Sequence, residues 1–261
     1  YFRFSISSKN MFIVLSVDSH VGRVDKASLS QLTLMELLFR NTDGIPEGLS
    51  DINELYGLEF DENREIIAIQ WFEHRITGTM DFHWLPQHLQ SLNLSANLLK
   101  GTLDFADFPE HMLAIEIDDN AFSGEIHLGD LPSQLEDLIL SYNKLSGVLD
   151  LEHLPQRLIT LKLNHNRFSG RVHLTTLPKG LANLFINNNI LHGTANLTHL
   201  PLQLLRLNLA FNKFQGETDF SLMPRSLVLL NVSHTELSGK FLPLNDAISF
   251  RNAASNVKMI R

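Results

Sequence analysis

Glycine recurs every 23 residues through most of this chain, at Gly78, Gly101, Gly124, Gly147, Gly170, Gly193, Gly216 and Gly239. Two further columns keep the same period. Proline occupies Pro86, Pro109, Pro132, Pro155, Pro178, Pro201 and Pro224, and asparagine occupies Asn97, Asn120, Asn143, Asn166, Asn189 and Asn212. Self-similarity at one fixed period predicts a solenoid, in which each repeat is a structural unit that buries its apolar side chains only by stacking on its neighbours.

The apolar positions of the repeat follow an equally regular pattern. One unit is Leu135-x-x-Leu138-x-Leu140-x-x-Asn143-x-Leu145-x-Gly147, followed by Leu149-x-Leu151-x-x-Leu154-Pro155. This resembles the leucine-rich-repeat family, whose motif is L-x-x-L-x-L-x-x-N-x-L, over roughly residues 66 to 239. The Ser146-Gly147 step resembles the plant-type subclass. The Leu-Pro step and the 23-residue period resemble the leucine-rich-repeat proteins of trypanosomatid protozoa.

The resemblance implies an α/β repeat solenoid with mostly β content: a curved, right-handed array with a parallel β-sheet on its concave face. The residues support this, because the alternation Leu138-x-Leu140 is typical of a short strand with one buried face. The strands are predicted at residues 92–94, 115–117, 138–140, 161–163, 184–186, 207–209 and 230–232. The alternation Leu149-x-Leu151 predicts a second short strand in each repeat, which the Leu-Pro step ends because proline cannot donate to a ladder.

The asparagine column is polar although it lies in an otherwise apolar register. A buried side-chain amide must find partners, and the bend that leaves a strand offers unpaired backbone groups. The sequence therefore predicts a ladder of buried asparagines bonded to backbone through the core.

Both ends of a repeat array need caps. Residues 1–65 are predicted to form the N-terminal cap, residues 66–239 the array, and residues 240–261 a C-terminal cap or tail after the repeat pattern dissolves. Apolar residues at helical spacing predict a capping helix from Ala27 to Phe39. A hairpin turning at Asp61–Arg64 is predicted to cover the first parallel strand. Residues 1–10 are foreign or disordered if Met11 is the native start.

Composition excludes several classes of function. The formal net charge is −8 and the sequence pI about 5.8, which argues against nucleic acid as a partner, because phosphate binding requires a basic field. The chain has no cysteine, so disulfides and thiol chemistry are excluded. No apolar run approaches transmembrane length. The lack of cysteine and of a visible signal peptide leans towards an intracellular location and leaves a surface location open.

Familiar catalytic and cofactor motifs are absent from the sequence. The position three residues after each glycine alternates between acid and imidazole, at Asp81, Asp104, His127, Asp150, His173, Asn196 and Asp219. Such a column could bind a metal. We favour outward polar residues on the second strand that complement one another, because metal sites need convergent ligands. The sequence thus predicts a protein that is not an enzyme, with no catalytic residue, no metal and no cofactor.

The outward strand positions form the predicted concave surface, which repeat arrays commonly use to bind partners. Large aromatic or charged side chains on a surface are typical of interface anchors. Acid is concentrated early along the array and base later, which would orient a partner of complementary polarity. The predicted partner-binding residues are Phe72, Glu116, Asp118, Ile139, Tyr142, Lys162, His165, Phe185, Arg206 and Phe211.

The resemblance favours a non-catalytic scaffold that binds a protein or peptide through the concave face. One alternative is a structural or cell-surface repeat protein of the antigen type, which glycan occupancy at Asn93, Asn196 or Asn231 would favour. Another is a non-catalytic module of a larger enzyme, which a catalytic domain beyond either end would favour. The sequence identifies neither the partner nor the oligomeric state.

Overall fold

The structure, a computed structural model, describes residues 25–45, 50–242 and 248–259. The predictions about residues 1–10, and the possible start at Met11, lie outside the described residues. No helix in these ranges is long and apolar enough to cross a bilayer. The described chain is a β-solenoid built from two ten-stranded sheets, which confirms the predicted fold class.

The first sheet contains the strands predicted from the L-x-L alternation. In chain order its strands are Leu58–Phe60, Ile66–Gln70, Ser91–Asn93, Ala114–Glu116, Asp137–Ile139, Thr160–Lys162, Asn183–Phe185, Arg206–Asn208, Leu229–Asn231 and Ser249–Arg251. Each repeat strand begins one residue earlier than predicted. All neighbours are parallel except the first pair, and successive strands are aligned so that Leu138, Leu161 and Leu184 are direct partners. These leucines are fully buried.

The second sheet corrects the prediction for the other half of the repeat. Its strands are Asn41–Asp43, Thr77–Thr79, Leu98–Gly101, Ala121–Glu125, Lys144–Val148, Arg167–Gly170, Ile190–Gly193, Lys213–Glu217, Glu236–Phe241 and Asn256–Met259. In each repeat this strand begins before the periodic glycine and includes it. Leu149-x-Leu151 therefore lies after the strand, not within it. Both leucines are buried, but as part of the turn that returns to the first sheet.

The glycine column exists because the backbone there is left-handed and tightly packed. Gly147 has φ +90°, which side chains rarely adopt, and a Cβ on it would lie 2.9 Å from the Cγ of Glu125. At the N-terminal edge the restriction is stronger, because a Cβ on Gly78 would lie 2.1 Å from the carbonyl oxygen of Asn41. Gly78 thus lets the antiparallel edge strand Asn41–Asp43 pair closely with Thr77–Thr79.

The leucine-proline step forms a turn that starts the next strand segment. The carbonyl of Pro132 accepts the N–H of Leu135 at 3.0 Å, and the same bond recurs from Pro86 to Pro224. Three of the returning segments also contain a short 3-10 helix, at Phe82–Trp84, Phe105–Asp107 and Leu128–Asp130.

The asparagine ladder is confirmed. Asn143 is buried; its Oδ1 accepts the N–H of Phe122 at 2.9 Å, and its Nδ2 donates to the carbonyl of Ile117 at 2.9 Å. The Nδ2 also donates within its own turn, to Leu140 at 3.3 Å. The same set of bonds to the preceding turn recurs at Asn97, Asn120, Asn166, Asn189 and Asn212.

The N-terminal cap contains the predicted helix in shortened form. The helix spans Gln31–Phe39, and a 3-10 turn at Lys26–Ser28 replaces its predicted start at Ala27. Ser30 causes this, because its side chain accepts the N–H of Thr33 and so caps the helix at that point. The predicted hairpin is present: Leu58–Phe60 pairs antiparallel with Ile66–Gln70, and the N–H of Arg64 donates to the carbonyl of Asp61 across the turn.

The prediction that the pattern dissolves after Gly239 needs correction. Ser249–Arg251 pairs in parallel with Leu229–Asn231, and Asn256–Met259 pairs in parallel with Glu236–Phe241. Both sheets therefore gain a further strand. The spacing falls from 23 residues to 20, because Leu230 is paired with Phe250, and this shortening hides the turn from a fixed-period search.

Candidate functional site

The outward side of the first sheet is organised in columns that run across the strands. Strand pairing fixes two of them. The first outward column is Ala68, Ser91, Ala114, Asp137, Thr160, Asn183, Arg206 and Leu229. The second outward column is Gln70, Asn93, Glu116, Ile139, Lys162, Phe185, Asn208 and Asn231.

A third column follows where each chain leaves the strand. Its residues directly precede the buried asparagine position and all have left-handed backbone, with φ between 53° and 57°. We call it the αL column: Ala96, Asp119, Tyr142, His165, Asn188, Phe211 and His234. Non-glycine residues adopt this conformation at a cost in free energy. The cost is smaller for asparagine and aspartate than for phenylalanine or tyrosine.

The structure places most of the predicted site residues on this face. Glu116, Ile139, Lys162 and Phe185 occupy four consecutive positions of the second outward column and are half-buried. They were predicted to be exposed. Each of them has a column neighbour on each of the two adjacent strands, and these neighbours cover part of its side chain.

The remaining predicted residues lie around that central row. Arg206 is exposed in the first outward column, while Tyr142, His165 and Phe211 belong to the αL column. Asp118 accepts a hydrogen bond from Ser95 Oγ at 2.7 Å. Phe72 is half exposed. It follows the strand Ile66–Gln70, which lies two strands away from the strand of Glu116, so Phe72 is apart from the group.

Rings in the αL column form two stacked pairs. Tyr142 and His165 have ring centroids 4.1 Å apart and planes within 10°. Phe211 and His234 have the same separation and planes within 16°. Tyr142 and Phe211 still expose 52% and 48% of their surface, which leaves aromatic area accessible to a partner.

Acidic and basic side chains lie on different strands of this face. Burial raises the pKa of Glu116, with added repulsion from Asp118 and Asp137, while Lys162 acts in the opposite direction. The Nδ2 of Asn93 also donates to this carboxylate at 3.2 Å. On the later strands burial lowers the pKa of His165, so its ring stays uncharged at neutral pH. The early half is therefore acidic, and the later half presents cations beside neutral rings.

A polar chain joins three strands of the later half. The guanidinium of Arg206 donates to Asn183 Oδ1 at 3.0 Å, and Asn183 Nδ2 donates to Thr160 Oγ1 at 3.2 Å. Asn187, four residues after Asn183, is 7% exposed, and its buried Oδ1 has no hydrogen-bond partner in the described part of the chain. Selecting residues by size and charge missed these asparagines. The run Asn187-Asn188-Asn189 was the available signal.

Four members of the acid and imidazole column have a local structural role instead of the predicted outward place on a second strand. Asp104, Asp150, Asn196 and Asp219 each accept the backbone N–H of the residue two positions later. They therefore cap the turns that follow the second sheet. In the described ranges no three of the chain's His, Asp and Glu residues come close enough to hold a metal ion.

Comparisons with known proteins identify the architecture. The LRR ectodomain of the plant membrane receptor kinase GASSHO1/SCHENGEN3 from Arabidopsis thaliana, in complex with CASPARIAN STRIP INTEGRITY FACTOR 2, superposes with a TM-score of 0.65 at 23% identity. That match covers 87% of this chain and 33% of the receptor chain. The chain is a leucine-rich-repeat solenoid.

Two other solved structures are similar to this leucine-rich-repeat chain. The Arabidopsis receptor kinase HAESA, in complex with the peptide hormone IDA and the co-receptor SERK1, matches 84% of this chain and 48% of its own, with a TM-score of 0.55 at 19% identity. A plant ice-binding protein matches 87% of this chain and 86% of its own, with a TM-score of 0.64 at 20% identity. The chain thus spans between a third and a half of the length of these two receptor chains. No family model and no curated protein matches its sequence.

Proposed function

We propose that this leucine-rich-repeat solenoid is a non-catalytic recognition scaffold that binds a protein or peptide through the outward face of its first sheet. The observation that carries the proposal is the row of half-buried side chains from Glu116 to Phe185, bordered by the exposed rings of Tyr142 and Phe211. Interfaces use aromatic and arginine anchors of this kind, set among polar neighbours. The plant receptor structures support the class of partner, because one of them contains a bound peptide hormone.

The division of charge supports a defined orientation of the partner. The acidic group around Glu116 and the cations Lys162 and Arg206 lie at different strands of one surface. A ligand with a basic segment and an acidic segment would be attracted in one direction along the array and repelled in the other.

Replacing Tyr142, Phe185, Arg206 or Phe211 with alanine is expected to weaken binding by about 1–2 kcal/mol each, roughly five- to thirtyfold in Kd, because each removes an anchor from the face. The ligands would be random linear peptides displayed on phage, selected on the wild-type protein and then measured as synthetic peptides by fluorescence polarisation. Ile190→Ala, at an exposed apolar residue of the second sheet, is the matched control and should leave Kd unchanged.

Thermal or urea unfolding separates binding from folding in these variants. The four substitutions should change stability much less than Leu161→Ala, which opens a cavity at a fully buried position and costs roughly 2–5 kcal/mol. If all four destabilise the protein like Leu161→Ala and leave Kd unchanged, these residues are structural and the proposed face is wrong.

A further inference from the structure

The two stacked pairs of the αL column are separated by one short side chain. Going along the column, Tyr142 stacks on His165, Asn188 follows, and Phe211 then stacks on His234. The two rings of each pair come from adjacent turns and are nearly parallel, so the plane of each ring is roughly perpendicular to the line of the column. One face of His165 and one face of Phe211 are therefore directed towards the level of Asn188.

The distance between these two ring faces follows from sheet geometry. Adjacent strands lie about 4.8 Å apart, so His165 and Phe211, two strands apart, are separated by about 9.6 Å. A planar group midway would lie about 4.8 Å from each ring, within the range of favourable aromatic pairs. The amide of Asn188 is much shorter than the side chain of Phe211, so it leaves the outer part of this gap open.

Charge around the gap decides which planar group fits. Lys162 ends the strand that His165 follows by three residues, and Arg206 begins the strand after which Phe211 comes, five residues later. Among the carboxylates of this face, Asp137 lies on the strand next to that of Lys162, and Glu116 and Asp118 belong to the strand and turn beyond it. A guanidinium in the gap would lie on the half of the face that carries these two cations and would be repelled by them, whereas a neutral aromatic ring would not. A carboxylate attached near that ring would be attracted to them.

Two further observations point to a ligand at this place. The buried Oδ1 of Asn187, next to Asn188, has no partner in the structure, and an unsatisfied buried acceptor is rare. The left-handed backbone of Phe211 would be less strained with asparagine or aspartate. Strain that is kept in a bulky residue is typical of functional surfaces.

Resting on the proposed function, we propose that the gap over Asn188 receives the aromatic side chain of a bound peptide, and that an acidic residue close to it in that peptide pairs with Arg206 or Lys162. The aromatic ring then extends the stacks Tyr142–His165 and Phe211–His234 into one continuous column. Asn188 is the residue whose small size makes room for it.

The decisive variant is Asn188→Phe, which fills the gap from the protein side. Its fold should be preserved, because Tyr142 and Phe211 occupy equivalent positions with the same backbone conformation. Peptides selected from the displayed random library on the wild-type protein are expected to share an aromatic residue near Asp or Glu. They should bind Asn188→Phe at least about tenfold more weakly, the effect of losing one anchor.

The matched control is Asn188→Gly, which keeps the left-handed backbone and leaves the gap open, so Kd should stay within about threefold of the wild type. Thermal unfolding of both variants checks that the fold is intact. In the peptide, replacing the aromatic residue with alanine should reproduce the loss, and its effect should shrink on Asn188→Phe because the two changes remove the same contact.

Several outcomes would overturn this inference. Selected peptides without an enriched aromatic residue would do so, as would enrichment of arginine in its place, or equal affinity for Asn188→Phe and wild type. If such peptides still lose affinity on Arg206→Ala and Phe185→Ala, the proposed function stands and only the aromatic gap is wrong. If they are insensitive to every substitution on the first sheet, the proposed function fails as well.

Discussion

Replacing Phe168 with alanine is expected to lower the free energy of unfolding by about 3–5 kcal/mol. Phe168 is fully buried in a column where leucine and phenylalanine alternate from turn to turn, at Leu99, Phe122, Leu145, Phe168, Leu191, Phe214 and Leu237. Each phenylalanine fills the space that its smaller neighbours leave. Truncating one removes apolar contact with the turns before and after it and leaves a cavity that the two sheets cannot close.

Urea unfolding followed by circular dichroism measures this loss. Val148→Ala, at a 63% exposed position of the neighbouring second-sheet strand, is the control and should change stability by less than about 0.5 kcal/mol. Phe168→Leu should fall between the two, because it keeps part of the volume. Equal stability of Phe168→Ala and Val148→Ala would contradict the packing described for this column.

Replacing Asn143 with alanine is expected to cost on the order of 1–3 kcal/mol. The change removes the acceptor for the N–H of Phe122 and the donor for the carbonyl of Ile117, both buried in the preceding turn. The N–H of Phe122 loses this acceptor, and the carbonyl of Ile117 keeps the longer bond from Asn120 Nδ2 at 3.4 Å, so the desolvation penalty is no longer fully offset. Thermal and urea unfolding both detect a loss of this size.

Position 235 suggests an informative companion variant. Thr235 occupies the asparagine column, and its hydroxyl donates within its own turn, to the carbonyl of Val232 at 2.7 Å. Asn143→Thr should therefore keep the equivalent bond to Leu140 and destabilise less than alanine. Asn196→Ala, which removes only exposed bonds in a turn, is the matched control. If Asn143→Ala proves as mild as this control, the ladder does not stabilise the fold.

The strands of the first sheet were predictable to within one residue, because one buried face imposes a strict alternation such as Leu138-x-Leu140. The asparagine ladder was predictable because a polar residue in an apolar register requires partners. The second sheet was placed wrongly. Strand Lys144–Val148 contains a left-handed glycine and only one fully buried residue, Leu145, so alternation gives no sign of it.

The candidate face was only partly predictable. Outward positions such as Lys162 and Phe185 follow from alternation, but their partial burial depends on neighbours brought in from other turns. The αL column depends on backbone angles that no local composition reveals, since Tyr142, Asn188 and Phe211 have little in common as residue types. The stacking of Tyr142 on His165 becomes visible only when turns 23 residues apart are superposed.

The ladder also gives the solenoid a direction, because its hydrogen bonds always run from one turn to the turn before it. Each buried asparagine satisfies backbone groups of the turn before it: Asn97 serves Trp71 and Ile76, and Asn212 serves Ile186 and Leu191. Shortening the array from its C-terminal side therefore leaves backbone groups of the new terminal turn without their amide, whereas shortening it from the N-terminal side leaves an amide without those backbone groups. The two ends of a shortened array would thus expose different groups: backbone N–H and carbonyl groups at the C-terminal end, and a side-chain amide at the N-terminal end.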